Sequence, residues 1–287
     1  MSYERTAVLR LFCVACITGL IFGLPNIASA SVTDIFAKYT RNSSVRIDHG
    51  TWDKLLKAYV STDGTGLNRV DYAALKATGH RTLKAYLERL AAVEPDQLDR
   101  PEQFAFWANL YNAKTIDIVL DHYPVRSIRD IAISSDLLSI IKQSVGAGGP
   151  WKAKVLRVSG QELSLDDIEH GVLRPIFGDP RVHYAVNCAS ISCPNLRTTA
   201  FSGENLEAEL EAGAREYINS PRGFSLGPHG VTASSIYSWF QDDFGDGDAG
   251  VLAHARSYAS GRLKKALAGI STINGFDYDW GLNDVQQ

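Results

Sequence analysis

Apolar side chains recur every three or four residues through most of the chain and alternate with polar ones over only a few short runs. That balance predicts helices packed on a small sheet. The segment 31–62 reads as two helices, one from Asp34 to Tyr39 and one carrying Trp52, Leu55, Leu56 and Tyr59. Asp63-Gly64-Thr65-Gly66 makes a turn. Asp71 then caps a helix holding Tyr72 and Leu75, and Leu83, Tyr86, Leu87 and Leu90 belong to a longer one.

From Pro101 to His122 the pattern changes. Phe104, Trp107, Tyr111 and Ile118 make one apolar side, and Phe106, Leu110, Ala113 and Leu120 make another. A helix that is apolar nearly all round belongs in the centre of a core. Pro101 suits its first turn, Glu102 its positive end, and Pro124 ends it. Asn109 and Asn112 lie three apart on this helix, and a buried amide without partners costs about 1–3 kcal/mol. They are candidate binding residues, with a clamp on neighbouring loops the favoured role.

Beyond it, 127–149 predicts a helix and then a glycine-rich connection, Gly146-Ala147-Gly148-Gly149, without the spacing of a phosphate-binding loop. Lys154 to Val158 alternates as a strand with a turn at Ser159-Gly160. Ser164 to Asp167 is a capping box for a helix over Leu165–Leu173, closed by Pro175. Val182 to Cys188 has the best strand pattern in the chain, and Phe201–Ile218 reads as an amphipathic helix. Phe224–Leu226 and Val231–Ala233 flank a turn as a hairpin. Helices follow around Ser235–Asp242 and Val251–Leu267, and Phe276–Trp280 reads as a terminal strand. No repeat or linker divides residues 31–287, so the expected architecture is one α+β domain, helix-rich, on a small antiparallel sheet.

The first thirty residues stand apart. Arg5 and Arg10 precede an uncharged apolar run from Leu11 to Leu24, and Ala28-Ser29-Ala30 forms a small-residue cleavage site. This is the pattern of a signal peptide, and its apolar run is shorter than the ~20 residues that span a bilayer. The expectation is a periplasmic or secreted protein cut before Ser31, with no stable membrane insertion afterwards. Residues 31–287 carry a formal charge of −4 and no basic run, which argues against nucleic acid as a partner. A small molecule or peptide is the expected partner.

Cleavage also removes Cys13 and Cys16, leaving Cys188 and Cys193. Five residues of strand hold two Cα atoms ~16 Å apart, and five of helix ~8 Å, both too far for a disulfide. Only a tight turn permits that bond, so the pair reads as a structural loop, a redox pair or a catalytic centre. Cys188 is the favoured sulfur, with Cys193 in support and Asn187 and Ser190 offering polar contacts. A thiolate needs a histidine, a cation or a helix N-terminus. On a continuous strand His183 faces away from Cys188, which leaves His170 as the freer base. His170 shares a helix face with Arg174. Neither CxxC nor HExxH spacing supports a metal, and no cofactor is expected. Asp242, Asp243, Asp246 and Asp248 miss the calcium-loop template and read as a solvated loop with a helix cap.

The tracts FAFWANLYNAKTIDIVL, SLDDIEHGVLR, DPRVHYAVNCASISCPNL and SWFQDDFG, in this order and spacing, resemble the domain of unknown function 547 family over roughly residues 65–280. The family is similar to exported bacterial proteins and to plant proteins with coiled-coil regions, and it implies no substrate. A distant likeness to papain-like or transglutaminase-like folds implies a cysteine at the start of a buried helix and a later histidine on a strand. This chain departs from that order, with Asn109 and Asn112 on the helix and His183 ahead of Cys188. The functional expectation is an exported enzyme using a cysteine for acyl transfer, hydrolysis or thiol exchange. The alternative is a non-catalytic binding or scaffold domain with a structural Cys188/Cys193 loop.

Overall fold

The computed structural model describes residues 30–133, 149–228 and 230–286. Residues 1–29, where a signal peptide is expected, and residues 134–148 of the expected 127–149 helix and loop lie outside the described residues; the rest of that stretch holds a 3₁₀ turn at Ile128–Asp130.

Helix α1 (Val32–Phe36) opens on a capping box between Ser31 and Asp34. α2 (Gly50–Tyr59) runs into the hairpin β1 (Val60–Thr62) and β2 (Asn68–Val70), followed by α3 (Tyr72–Thr78) and α4 (His80–Ala91). These pack around α5 (Arg100–His122), which Asp99 caps and Tyr123 ends. As the all-round apolar pattern predicts, α5 is buried along nearly its whole length, Trp107 completely. Phe36 and Phe106 meet the Trp107 ring edge-on at 4.9 and 4.8 Å.

β3 (Leu156–Val158) and β4 (Gln161–Leu163) form a second antiparallel hairpin about Ser159-Gly160. The Ser164–Asp167 capping box is present, and α6 (Asp167–Leu173) follows it, wound as a π-helix into α7 (Arg174–Phe177). Pro175 therefore does not close the helix. It removes the N–H that would bond Gly171 O, and the Thr33 hydroxyl takes that carbonyl at 2.6 Å. Gly178, left-handed at φ 60°, ends the turn.

The strand expected at Val182–Cys188 is absent. Val182–Ala185 is a helical turn, α8, and the chain becomes extended only at Val186. Asp179 accepts from Arg181 N–H, and the carbonyls of Asp179, Pro180 and Arg181 accept from the next three amides, which winds the backbone. Among the described residues no neighbouring strand offers a ladder here, and all four side chains of the turn are buried.

α9 (Leu206–Asn219) begins later than its pattern suggests, because Phe201 sits in a loop held by α5. Its first half packs into the core around α5, and Ala214, Tyr217 and Ile218 pack into a second core. That second core is built by β5 (Phe224–Gly227), β6 (Gly230–Ser234), α10 (Ile236–Trp239), α11 (Gln241–Phe244), α12 (Gly247–Tyr258) and α13 (Gly261–Leu267). β7 (Gly275–Asp277) joins β6 in parallel, so this sheet is mixed, whereas the two hairpins are antiparallel. The architecture is α+β and helix-rich. Among the described residues no helix is long and apolar enough to cross a membrane.

Candidate functional site

A cavity of about 400 Å³ opens where the two cores meet. α5 supplies Tyr111, α6 supplies Glu169 and His170, and α8 supplies His183. Cys188, Cys193 and Pro194 line it from the loop beyond, and Trp239 and Phe240 from α10 and its end. Tyr278 and Trp280 of the C-terminal segment and Trp151 complete an aromatic wall. Their rings touch in sequence, with Trp151–Trp280 at 5.6 Å, Trp239–Trp280 at 5.6 Å and Tyr278–Trp280 at 4.6 Å.

The cysteine loop is pinned at both ends. Asn112 Nδ2 donates to Ala185 O at 2.8 Å, and Asn112 Oδ1 accepts from Asn187 N–H at 2.8 Å. Asn187 in turn accepts from Ala189 N–H and donates to Pro194 O, drawing residues 189 and 194 together. Asn109 holds the backbone of Phe201 in the same two-sided way. Both α5 amides thus clamp loops, and neither lines the cavity. Ala189 is left-handed at φ 59°, a costly conformation for a residue with a Cβ, at the turn that folds the two cysteines together. Arg222 holds the Cys193 carbonyl at 2.5 Å and Tyr217 the Ser192 carbonyl at 2.6 Å. The C-terminal segment straps the loop through Ile191 N–H to Gly281 O and Ser192 N–H to Asp279 O.

Within this frame the thiols are free and adjacent. Cys193 Sγ accepts from Cys188 N–H at 2.9 Å and from the Tyr278 hydroxyl at 3.3 Å. Tyr278 Oη also lies 3.1 Å from Cys188 Sγ and 2.9 Å from Ser190 Oγ, and Ser190 Oγ is 3.3 Å from Cys188 Sγ. Burial pushes both thiols up. For Cys193, hydrogen bonds from the Cys188 thiol, the Tyr278 hydroxyl and the Cys188 amide outweigh burial and bring it from 9.0 to about 7. Burial and its neighbour's charge hold Cys188 well above its ordinary value. Burial and the thiols likewise keep the Tyr278 hydroxyl protonated, hence a donor. The sequence points to Cys188 as the working sulfur, whereas the hydrogen bonds favour Cys193 as the thiolate.

His183 and the thiols line one cavity, because α8 turns where a strand would have carried them apart. His183 is buried, stacks on Phe240 at 4.5 Å and bonds Asp243 Oδ2 through Nε2 at 2.7 Å. Asp243 also takes Arg174 on both oxygens, at 2.5 and 2.9 Å. Burial raises its carboxyl, but His183 and Arg174 together hold it well below the usual carboxylate range. Asp243 is thus not the solvated loop residue its acidic neighbours suggest. Only the chain's return across 60 residues pairs it with His183. His170 stays half-exposed, 3.2 Å from Arg174 and 5.5 Å from Phe240.

His80, Asp117 and Asp121 bring three metal-capable atoms together on α4 and α5. The same carboxylates already hold Lys84, and Asp117 holds Lys114 as well, an arrangement that neutralises the buried Asp117 without an ion.

Fold and site together define a helix-rich α+β protein with a thiol pair in an aromatic-walled cavity. Residues 95–218 match the family described as "Protein of unknown function, DUF547". The match spans α5, the capping-box helix and the cysteine loop, and it ends before the Ser238–Gly245 tract. Among curated proteins and solved structures, none is significantly similar to the chain.

Proposed function

We propose that the protein is an exported cysteine enzyme in which Cys193 is the nucleophile and the aromatic cavity holds an acyl substrate. The observation that carries this reading is the convergence of Cys188 N–H and the Tyr278 hydroxyl on Cys193 Sγ inside the cavity, which favours a thiolate near neutral pH. The thiolate attacks the substrate's carbonyl carbon and forms a C–S bond as the leaving group departs with a proton. Water then attacks the thioester, its oxygen bonding the acyl carbon, one proton passing to solvent, and the thiolate is restored. In this reading His183, held by Asp243 on the same cavity lining, supplies and recovers the protons.

The test is alkylation by iodoacetamide at increasing pH, read residue by residue by mass spectrometry. Cys193 reacts with an inflection near pH 7 and Cys188 only at alkaline pH, and ester and thioester turnover is lost in Cys193→Ser. Two inert thiols, or a disulfide in the native protein, would leave the structural-loop reading standing. The approach of the Cys188 backbone to Cys193 Sγ supports a second reading, thiol–disulfide exchange, which turnover of small disulfides but not esters would favour.

Export rests on the first thirty residues, and cleavage before Ser31 leaves the α1 capping box intact. The new amino group lies at the position from which Ser31 N now contacts Asp34 Oδ2 at 3.2 Å. N-terminal sequencing of the envelope fraction then begins at Ser31, and a retained Met1 would refute the idea.

A further inference from the structure

Four carboxylates are buried among the described residues, and three have their hydrogen bonds met inside the fold. Glu102 accepts from Ile47 and Gly203 N–H at 2.8 and 2.9 Å. Asp117 holds His80, Lys84 and Lys114. Asp284 accepts from the Tyr123 hydroxyl at 2.7 Å and from Gln286 N–H at 3.2 Å. Glu169 differs. It is 8 % exposed and lines the cavity beside Tyr111, and no described lysine, arginine or histidine makes an ion pair with it. Arg174, one turn on, feels its charge but is spent on Asp243 and lies over the Phe240 ring at 4.7 Å.

A buried carboxylate without a cation is costly, and it is tolerated where a ligand supplies the partner. The walls around Glu169 narrow the chemistry. Trp151, Trp239 and Trp280 present aromatic rings, which attract a cation through their π faces and bury the alkyl carbons attached to it. Asp166, half-exposed on the same lining, adds a second negative group, and Lys152 is exposed. A carboxylate ligand would meet repulsion here, and a neutral one would leave Glu169 without a counter-charge.

We infer that the cavity binds an alkylammonium group, with Glu169 as its counter-ion and the tryptophan wall around its carbon chain. This deepens the reading of the cavity as a substrate site and rests on it, by giving the substrate class as one that carries a cationic amine.

The test is a titration of the purified protein with hexylammonium, hexanol and hexanoate, followed by tryptophan fluorescence and calorimetry. Hexylammonium should bind at least about tenfold more tightly than hexanol, with hexanoate weakest, as a charge-assisted contact requires. Glu169→Gln should bring hexylammonium to parity with hexanol while the near-ultraviolet circular dichroism is unchanged. The wild-type comparison needs no variant, so a misfolded Glu169→Gln leaves the inference exposed to test. Equal binding of hexanol and hexylammonium, preference for hexanoate, or binding of a methyl glucoside without any amine preference would overturn it. Residue-by-residue alkylation of the wild-type protein, beside this titration, separates the two readings. Amine selectivity beside inert thiols sinks the nucleophile and keeps the amine site. A reactive Cys193 without amine selectivity does the reverse.

Discussion

Cys188 N–H points at Cys193 Sγ from 2.9 Å, so the more exposed cysteine stabilises the ionised form of the more buried one. Burial and its neighbour's charge hold the Cys188 thiol up, while the donors converging on Cys193 Sγ draw that thiol down.

Tyr278→Phe tests this coupling. Loss of the hydroxyl removes one donor from Cys193 Sγ, so the inflection in its alkylation should move from near 7 towards the ordinary 9.0. The rate at pH 7 should fall accordingly. An unchanged profile, measured by mass spectrometry, would show that Tyr278 does not tune the thiol.

Asn112→Ala should be costly because it orphans two buried backbone groups, Ala185 C=O and Asn187 N–H. Each such group costs about 1–3 kcal/mol, so a loss of about 2–6 kcal/mol is expected in denaturant melts. Because Asn187 closes the cysteine loop, the surviving folded protein should also lose the early reactivity of Cys193. A variant equally stable and equally reactive would show that the clamp is dispensable.

Trp107→Ala should destabilise by about 3–5 kcal/mol, since the ring is fully buried between Phe36 and Phe106. Trp107→Phe should cost less, because it also removes an indole N–H that has no partner among the described residues. Urea melts decide it, and a loss below about 1 kcal/mol for the alanine variant contradicts the packing.

Stability should fall as pH drops from 6.5 towards 4. Burial pulls both His49 and His254 down from 6.5 to about 4, so the unfolded chain takes up protons in this window that the folded chain refuses. The stabilisation is complete above 6.5 and is lost progressively down to about 4. His49→Phe removes one of the two rings and should flatten the profile by on the order of 2–3 kcal/mol across that window. Melts at stepped pH measure it, and a wild-type protein equally stable at both ends refutes it.

Some of the site was legible in the chain and some was not, for reasons particular residues make plain. The Ser164–Asp167 capping box and the Ser31–Asp34 box are contacts between residues three apart, which backbone geometry makes almost wherever the residue types occur. The burial of α5 follows from an apolar pattern that leaves no polar face to turn to solvent. Val182–Ala185 misleads because its β-branched and aromatic residues satisfy a strand pattern, while the hydrogen bonds that wind it come from the Asp179-Pro180 turn. Glu169 carries no local mark at all, since what distinguishes it is that no described residue pairs its charge.

Helix positions, caps and hairpins are therefore set by neighbours along the chain, because their hydrogen bonds and periodicities close within a few residues. The candidate site is not. Tyr278 reaches Cys193 across 85 residues, and Asp243 reaches His183 across 60. Such meetings depend on two cores packing against a shared α9 and on a C-terminal strap laid over the cysteine loop. The same thiols on an extended strand would face opposite sides. Close packing brings them to one cavity, supplies their donors and leaves Glu169 facing open space.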